Sequence, residues 1–346
     1  NMSGGRKIDF GKIMTIPREI IKKLTPKNQP LTEEKHDVTI KLSDYPQAFS
    51  ATKAETKNTQ MLLDYVNGLE GANSDTLELY RLMGKMENIE SQGIPFKISH
   101  GEKCAVSSRY YIGSGKYSEV KLTIPKLTFE NLVGAVNTTL HEEMHLMDLF
   151  LREGSGYGAF TQSQSLAGEF IDVVKKGDKT VGSKVETLFK EYHAELKTIR
   201  KTLQDEADAK VLELTKAYYP NGINYSDIWN EPKKYKEYEK KKKKIQKETA
   251  NLIDMQNRNA MGGGIDGLED IYDALSGGEF RGTGVVHYGH GRGYYAETRK
   301  RTSEIIANYG ALSITRPDLI ELLREDKPEL VSALEKLVKD MIKAVK

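Results

Sequence analysis

Residues 140–150 read LHEEMHLMDLF, with two histidines four positions apart and a glutamate directly after the first. On a helix, residues four apart project from the same face, so His141 and His145 can each offer a ring nitrogen to one metal ion about 2 Å away. Glu142 is turned about 100° from His141 at 3.6 residues per turn. It can therefore reach a water on such a metal without being a ligand, which is the place of a general base. With seven histidines in 346 residues, chance should give an H-E-x-x-H string in about one such chain in a hundred. The competing reading is two histidines on the polar side of a buried helix, bonded to backbone or carboxylates.

A catalytic zinc takes three protein ligands and keeps a fourth position for water. The candidates for the third ligand are Glu304, Glu297, His287, His290, His193 and Asp148. In TSEIIANYGAL, from 302, Thr302 or Ser303 can cap a helix, with Glu304 in its first turn and Asn308 one turn on along the same face. Glu304 can then bind metal while Asn308 supports a ligand from behind. Read alone, a first-turn glutamate merely favours the helix dipole. Asp148 lies seven residues after His141 on the same helical face and is a candidate to orient a ligand, or else faces solvent.

The segment HYGHGRGYY is rich in glycine, which lets a loop approach a ligand closely. His290, Tyr294 and Tyr295 bring donors suited to stabilising the oxyanion of a tetrahedral intermediate. The competing reading is a loop whose tyrosines pack on the core. His287 or His290 in place of Glu304 as the third ligand stays open at this point.

Two resemblances follow from these residues. H-E-x-x-H with a glutamate far downstream in a separate helix resembles the gluzincin class of zinc metallopeptidases. That likeness implies Zn2+ held by His141, His145 and Glu304, with Glu142 as the base. Glu304 follows His145 by 159 positions, far more than in thermolysin-like enzymes, and Asn308 stands where many gluzincins carry Asp. More locally, DIYDALSGGEFRGTGVVHYGHGRGYY followed by SEIIANYGAL is similar to the C-terminal parts of phage minor-head or head-morphogenesis proteins of the Mu F type and related prophage or toxin polypeptides. This likeness covers residues 90–160 and 265–315. It implies a phage or prophage association, with phage head components or a host protein as partners beside a peptide substrate. Its alternative is an assembly protein whose metal site is structural or degenerate.

The elements that must position these residues are legible in outline. Residues 1–90 read as a mostly helical scaffold, with two short helices joined at Gly68, Gly71 and Ser74. From Ile94 short β-branched and aromatic runs predict a small antiparallel sheet, its last strand passing through Val120, Leu122 and Ile124 as an edge. That edge can hold an extended peptide by strand addition. A helix is expected from an N-cap at Thr128 to a stop at Gly154 and Gly156. Residues 161–260 read as a charged helical hairpin inserted into the site, broken at Tyr219-Pro220-Asn221-Gly222. Residues 261–346 bring the Gly-rich loop, the third-ligand helix and an amphipathic C-terminal helix, completing one catalytic unit with 91–160. The fold class expected is α+β and mainly α-helical, a zincin-like sheet and active-site helix with a long insertion.

Composition narrows the partners. Lys and Arg number 52 against 50 Asp and Glu, without the basic excess of a general nucleic-acid binder. The run Lys240–Lys244 reads as a solvated helix face. The single cysteine, Cys104, rules out an intramolecular disulfide and a Cys-rich zinc module, and is expected in the core. The N-terminal stretch lacks the apolar core of a signal peptide and no run reaches the ~18 apolar residues of a membrane span. A cytoplasmic or virion-associated protein is the expectation. GSGK at 113–116 lacks the upstream glycine and the following Ser/Thr of a P-loop, and GHGRG does not follow a strand in a βαβ unit.

Overall fold

The computed structural model describes residues 38–86, 96–101, 105–111, 116–128, 131–151, 159–261 and 264–346. Cys104, Gly154 and Gly156 lie outside these residues, as do residues 1–37 and 87–90 of the expected N-terminal scaffold. Two compact units emerge, one of residues 1–190 with 259–346 and one of Glu191–Arg258. The second unit is narrower than the 161–260 insertion expected from charge: residues 161–190 carry buried apolar side chains such as Phe170, Val174 and Phe189 and belong to the first.

In the first unit, helix α1 (Lys53–Asn67) opens on a capping box in which Thr52 and Glu55 satisfy each other's backbone amides. Helix α2 (Ser74–Arg81) is capped by Asn73. Strands β1 (Phe96–Gly101), β2 (Ala105–Tyr111) and β3 (Lys116–Pro125) form a sheet in the order β1-β3-β2. β1 runs parallel to β3 and β2 antiparallel to it. The sheet is thus mixed, and the strand through Val120, Leu122 and Ile124 is central. Its inward residues are fully covered, as a strand paired on both sides requires, and β2 and β1 form the edges.

Helix α3 (Leu132–Phe150) carries the H-E-x-x-H residues. It starts at Leu132 with Asn131 at its N-cap, because Thr128 gives its amide to the Asn131 side chain instead of capping. After a Phe160–Gln162 turn come helices α4 (Gln164–Lys176) and α5 (Ser183–Tyr218), the latter continuing into the second unit. Helix α6 (Ile265–Leu275), the short α7 (Arg292–Tyr295) and α8 (Thr298–Thr315) return to the first unit, followed by α9 (Pro317–Asp326) and α10 (Pro328–Val345). α3 packs along α8, α8 along α6, and α10 covers α4 and α2. The apolar stripe Leu140, Met144 and Met147 of α3, like Ile305 and Leu312 of α8, has essentially no exposure; Met144 meets α8 at Gly310, while Leu312 lies against α6 at Gly264 and Gly267. At about 1.5–3 kcal/mol per buried side chain, such stripes set the approach of the two helices.

α8 begins at Thr298, so Glu304 sits in its second turn rather than its first. Thr302 does not cap: its hydroxyl bonds the Arg299 carbonyl within the helix. At Gly310 a Cβ would come 2.3 Å from Met144 Cε and 3.3 Å from the Tyr80 hydroxyl, so a larger residue there would require the Met144 side chain to move.

In the second unit, the C-terminal part of α5 pairs with a helix over Pro232–Met261 (α11 hereafter) through Tyr219, Tyr238 and the Thr215–Tyr238 hydroxyl contact. Lys241, Lys242 and Lys244 each pair with a glutamate of their own helix, consistent with a solvated face. Among the described residues no helix is long and apolar enough to cross a membrane.

Candidate metal centre

The side chains that the sequence placed 159 positions apart meet where α3 crosses α8. His141 Nε2 and His145 Nε2 lie 3.1 Å apart, and Glu304 Oε2 is 3.3 Å from the first and 3.5 Å from the second. Four-coordinate zinc with bonds of 2.0–2.1 Å places its donors about 3.3 Å from one another. The three atoms therefore stand at the separation that one tetrahedral ion requires, and the set fits it. Glu297, by contrast, pairs with Arg299 and Lys300 at the start of α8. His287 is half exposed in its loop, with its amide on Glu269. His193 lies in the second unit, its ring against Tyr192.

Each imidazole is held from behind. His141 Nδ1 is 3.1 Å from Asn308 Oδ1, and His145 Nδ1 is 3.0 Å from Ser303 Oγ. An amide oxygen only accepts, so His141 carries its hydrogen on Nδ1 and turns Nε2 toward the centre. Asn308 thus takes the supporting place expected of it. Ser303, read from sequence as a helix cap, supports the second ring instead.

The electrostatics favour a cation. Burial alone would raise the Glu304 carboxyl, but the His141 and His145 rings, which donate to it when they carry both protons, hold it far below the usual carboxylate range. Burial lowers the proton affinity of His141, and the Glu304 carboxylate more than restores it, so that His141 ends above an ordinary histidine. A buried carboxylate facing two rings is a cluster of donors that wants positive charge.

Glu142 does not join the three donors. Its Oε2 accepts the Val106 amide of β2 at 2.8 Å, so this amide points away from β3 and the free edge of β2 faces the candidate base. Glu143, one position on, turns into the core. There burial pushes it up to about 8, and Tyr45 gives it a hydrogen bond at 3.0 Å.

Asp148 supports neither ring and does not face solvent. It is 1% exposed and takes the amide and hydroxyl of Thr161 at 2.8 and 2.7 Å, tying the end of α3 to the turn that follows. It lies one turn beyond His145, where α3 has passed the centre.

The Gly-rich loop is held by the acids of α6, which the sequence reading passed over. Glu269 accepts the amides of His287 and Tyr288, and Asp273 those of Arg281 and Gly291. Asp270, 1% exposed, takes the Tyr295 hydroxyl at 2.5 Å, the Asn308 amide at 2.9 Å and His290 Nδ1 at 3.1 Å. Every residue of α6 is buried; the signal available in IDGLEDIYDAL was its acids spaced three and four apart amid an apolar stripe. Gly289 sits at φ +142°, where a Cβ would be 2.4 Å from Asp273 Oδ2, so its glycine is required by the approach of the loop to α6.

The three expected oxyanion donors part company here. Tyr294 gives its hydroxyl to Glu304 Oε1 at 2.7 Å and stacks on His290, ring centres 4.4 Å apart. Both stand beside the donor cluster. Tyr295 is 1% exposed with its hydroxyl committed to Asp270; it anchors the loop and is not placed to receive a substrate.

Comparison of the chain with protein-family models, with curated proteins and with solved structures finds no match. The grouping of His141, His145 and Glu304 could hold a metal ion.

Proposed function

We propose that the protein is a zinc-dependent metallopeptidase whose metal is held by His141, His145 and Glu304. The observation that carries this reading is the convergence of those three donor atoms at 3.1–3.5 Å with a carboxylate outside the set, Glu142, adjacent in sequence and bonded to the Val106 amide at a sheet edge. A zinc ion bound there supplies Lewis acidity, lowering the pKa of water and polarising a carbonyl. A purely structural zinc site closes its fourth position with another protein ligand; among the described residues His141, His145 and Glu304 form a group of three.

The chain's own residues then divide the work. The outer edge of β2 offers backbone groups to an extended peptide, laying its scissile bond along α3. Glu142, released from the Val106 amide, accepts a proton of the attacking water on a carboxylate oxygen and holds it for the leaving amine nitrogen. Tyr294 Oη, turned from Glu304 Oε1, and the His290 ring would donate hydrogen bonds to the carbonyl oxygen as charge develops on it. A cleft lined by Arg281, Thr283, Gly291 and Arg292 borders His290 and gives room for substrate beyond the loop.

The test is a mixed-sequence peptide library incubated with zinc-loaded protein and with E142Q, fragments being read by mass spectrometry. Cleavage at defined bonds by the wild type and its loss in E142Q with zinc retained is the expected result. Zinc bound equally by both and no cleavage by either would leave a structural metal site in its place.

A further inference from the structure

The hydrogen-bond directions around His141 reach one residue further than the site itself. Asn308 stands between His141 and Asp270, and the two ends of its amide are not equivalent: Nδ2 only donates and Oδ1 only accepts. Asp270 Oδ2, 2.9 Å from Asn308 Nδ2, is a carboxylate oxygen and accepts. With that end fixed, Oδ1 must face His141 Nδ1 at 3.1 Å. His141 must then carry hydrogen on Nδ1, which leaves the Nε2 lone pair pointing at His145 and Glu304.

We propose that Asp270 is a positioning residue of the metal centre, which sets the tautomer of His141 through the amide of Asn308. The same carboxylate, through Oδ1, receives the Tyr295 hydroxyl and faces His290 Nδ1. One buried group thereby ties a metal ligand and the Gly-rich loop to α6. The packing supports a fixed relay. A Cβ on Gly267 of α6 would lie 3.0 Å from Asn308 Oδ1, and Asn308 is 6% exposed, so the amide is packed against α6 with little room to turn.

The inference rests on His141 being a metal ligand, and its test separates the two. In full-length metal-free protein at alkaline pH, where the ring is neutral, 15N–1H correlation of the His141 ring reports which nitrogen bears hydrogen. Zinc affinity is measured in parallel by competition with a chelator. The wild type is expected to carry hydrogen on Nδ1. D270N, whose side chain can present either an oxygen or an NH2 group to Asn308, is expected to mix the tautomers and weaken zinc by about 10–100-fold. The exchange D270N/N308D restores the order of donors and acceptors, with the charge one step nearer the ring, and is expected to recover both the Nδ1 signal and zinc affinity. A residue that merely stabilised α6 would not be rescued in this way.

Hydrogen on Nε2 of His141 in the wild type would overturn the inference without recourse to any variant. So would a D270N protein unchanged in both tautomer and affinity. A wild type that takes up no zinc would refute the metal site itself, with the tautomer still readable.

Discussion

Gly310 of α8 lies against Met144 of α3, on the two helices that bring Glu304 to the histidines. A Cβ at position 310 would stand 2.3 Å from Met144 Cε and 3.2 Å from its Cγ, and Met144 is fully buried. G310A is therefore expected to force the helices apart or the methionine off its rotamer, at about 1–3 kcal/mol of stability. Chemical denaturation measures this. The same variant should bind zinc more weakly, because Glu304 is carried on the displaced helix; unchanged affinity would show that the centre tolerates a looser crossing.

The Gly-rich loop should be separable from the metal. In G289A a new Cβ meets the Asp273 carboxylate at a backbone angle that side chains rarely adopt, costing on the order of 1–3 kcal/mol. Zinc content should remain that of the wild type, since α3 and α8 supply all three donors. Peptide cleavage should fall at least about tenfold, a barrier of about 1.4 kcal/mol. Loss of zinc in G289A would mean that the loop helps to hold the metal.

Tyr294 and Tyr295 differ by one position and should differ in kind. Y294F removes a hydroxyl 2.7 Å from Glu304, and on the proposed function a donor used in the transition state is worth about 10²–10³ in kcat. Y295F removes a buried hydroxyl from Asp270, which should cost stability, about 1–3 kcal/mol for the acceptor left behind. Steady-state kinetics beside thermal unfolding of the two variants distinguishes the roles; equal effects on kcat and stability in both would contradict the assignment.

Asp148 should make metal-free protein sensitive to pH. Burial raises its carboxyl from 3.8 to about 6, the hydrogen bonds from Thr161 acting against that rise. The folded state thus binds the proton more tightly than the unfolded one. Its contribution to stability is present in full below pH 3.8 and is lost as pH rises through about 6. The shift corresponds to about 3 kcal/mol. D148N, which can still accept from the Thr161 amide, should lack this fall between the two pH values, as read from urea unfolding at a series of pH. Parallel curves for the two proteins would contradict it.

What the sequence disclosed follows from the range of each signal. The spacing of His141, Glu142 and His145 is a local property of one helix and was legible directly. Glu304 was legible as a candidate, but not its neighbours' roles: Ser303 reads as a cap because capping is judged from adjacent residues, whereas its contact with His145 is made across a helix crossing. The sheet was misread as antiparallel because strand order depends on which strand slips between the others, and β3 between β1 and β2 leaves no mark on local alternation. Asp270 and Asp273 escaped notice since an acid in a helix usually faces water; that all of α6 is buried follows from its packing on α8. Asn308, which departs from the resemblance to gluzincins, gains a partner in Asp270 that no local pattern could have supplied.

The proposed metal centre stands or falls on zinc itself. Elemental analysis of the purified chain after dialysis against metal-free buffer, with and without prior addition of zinc, should give about one zinc per chain in the wild type and in H290A, and essentially none in E304A. No zinc in the wild type even after addition, or full retention in a folded E304A, would contradict the metal centre described for His141, His145 and Glu304.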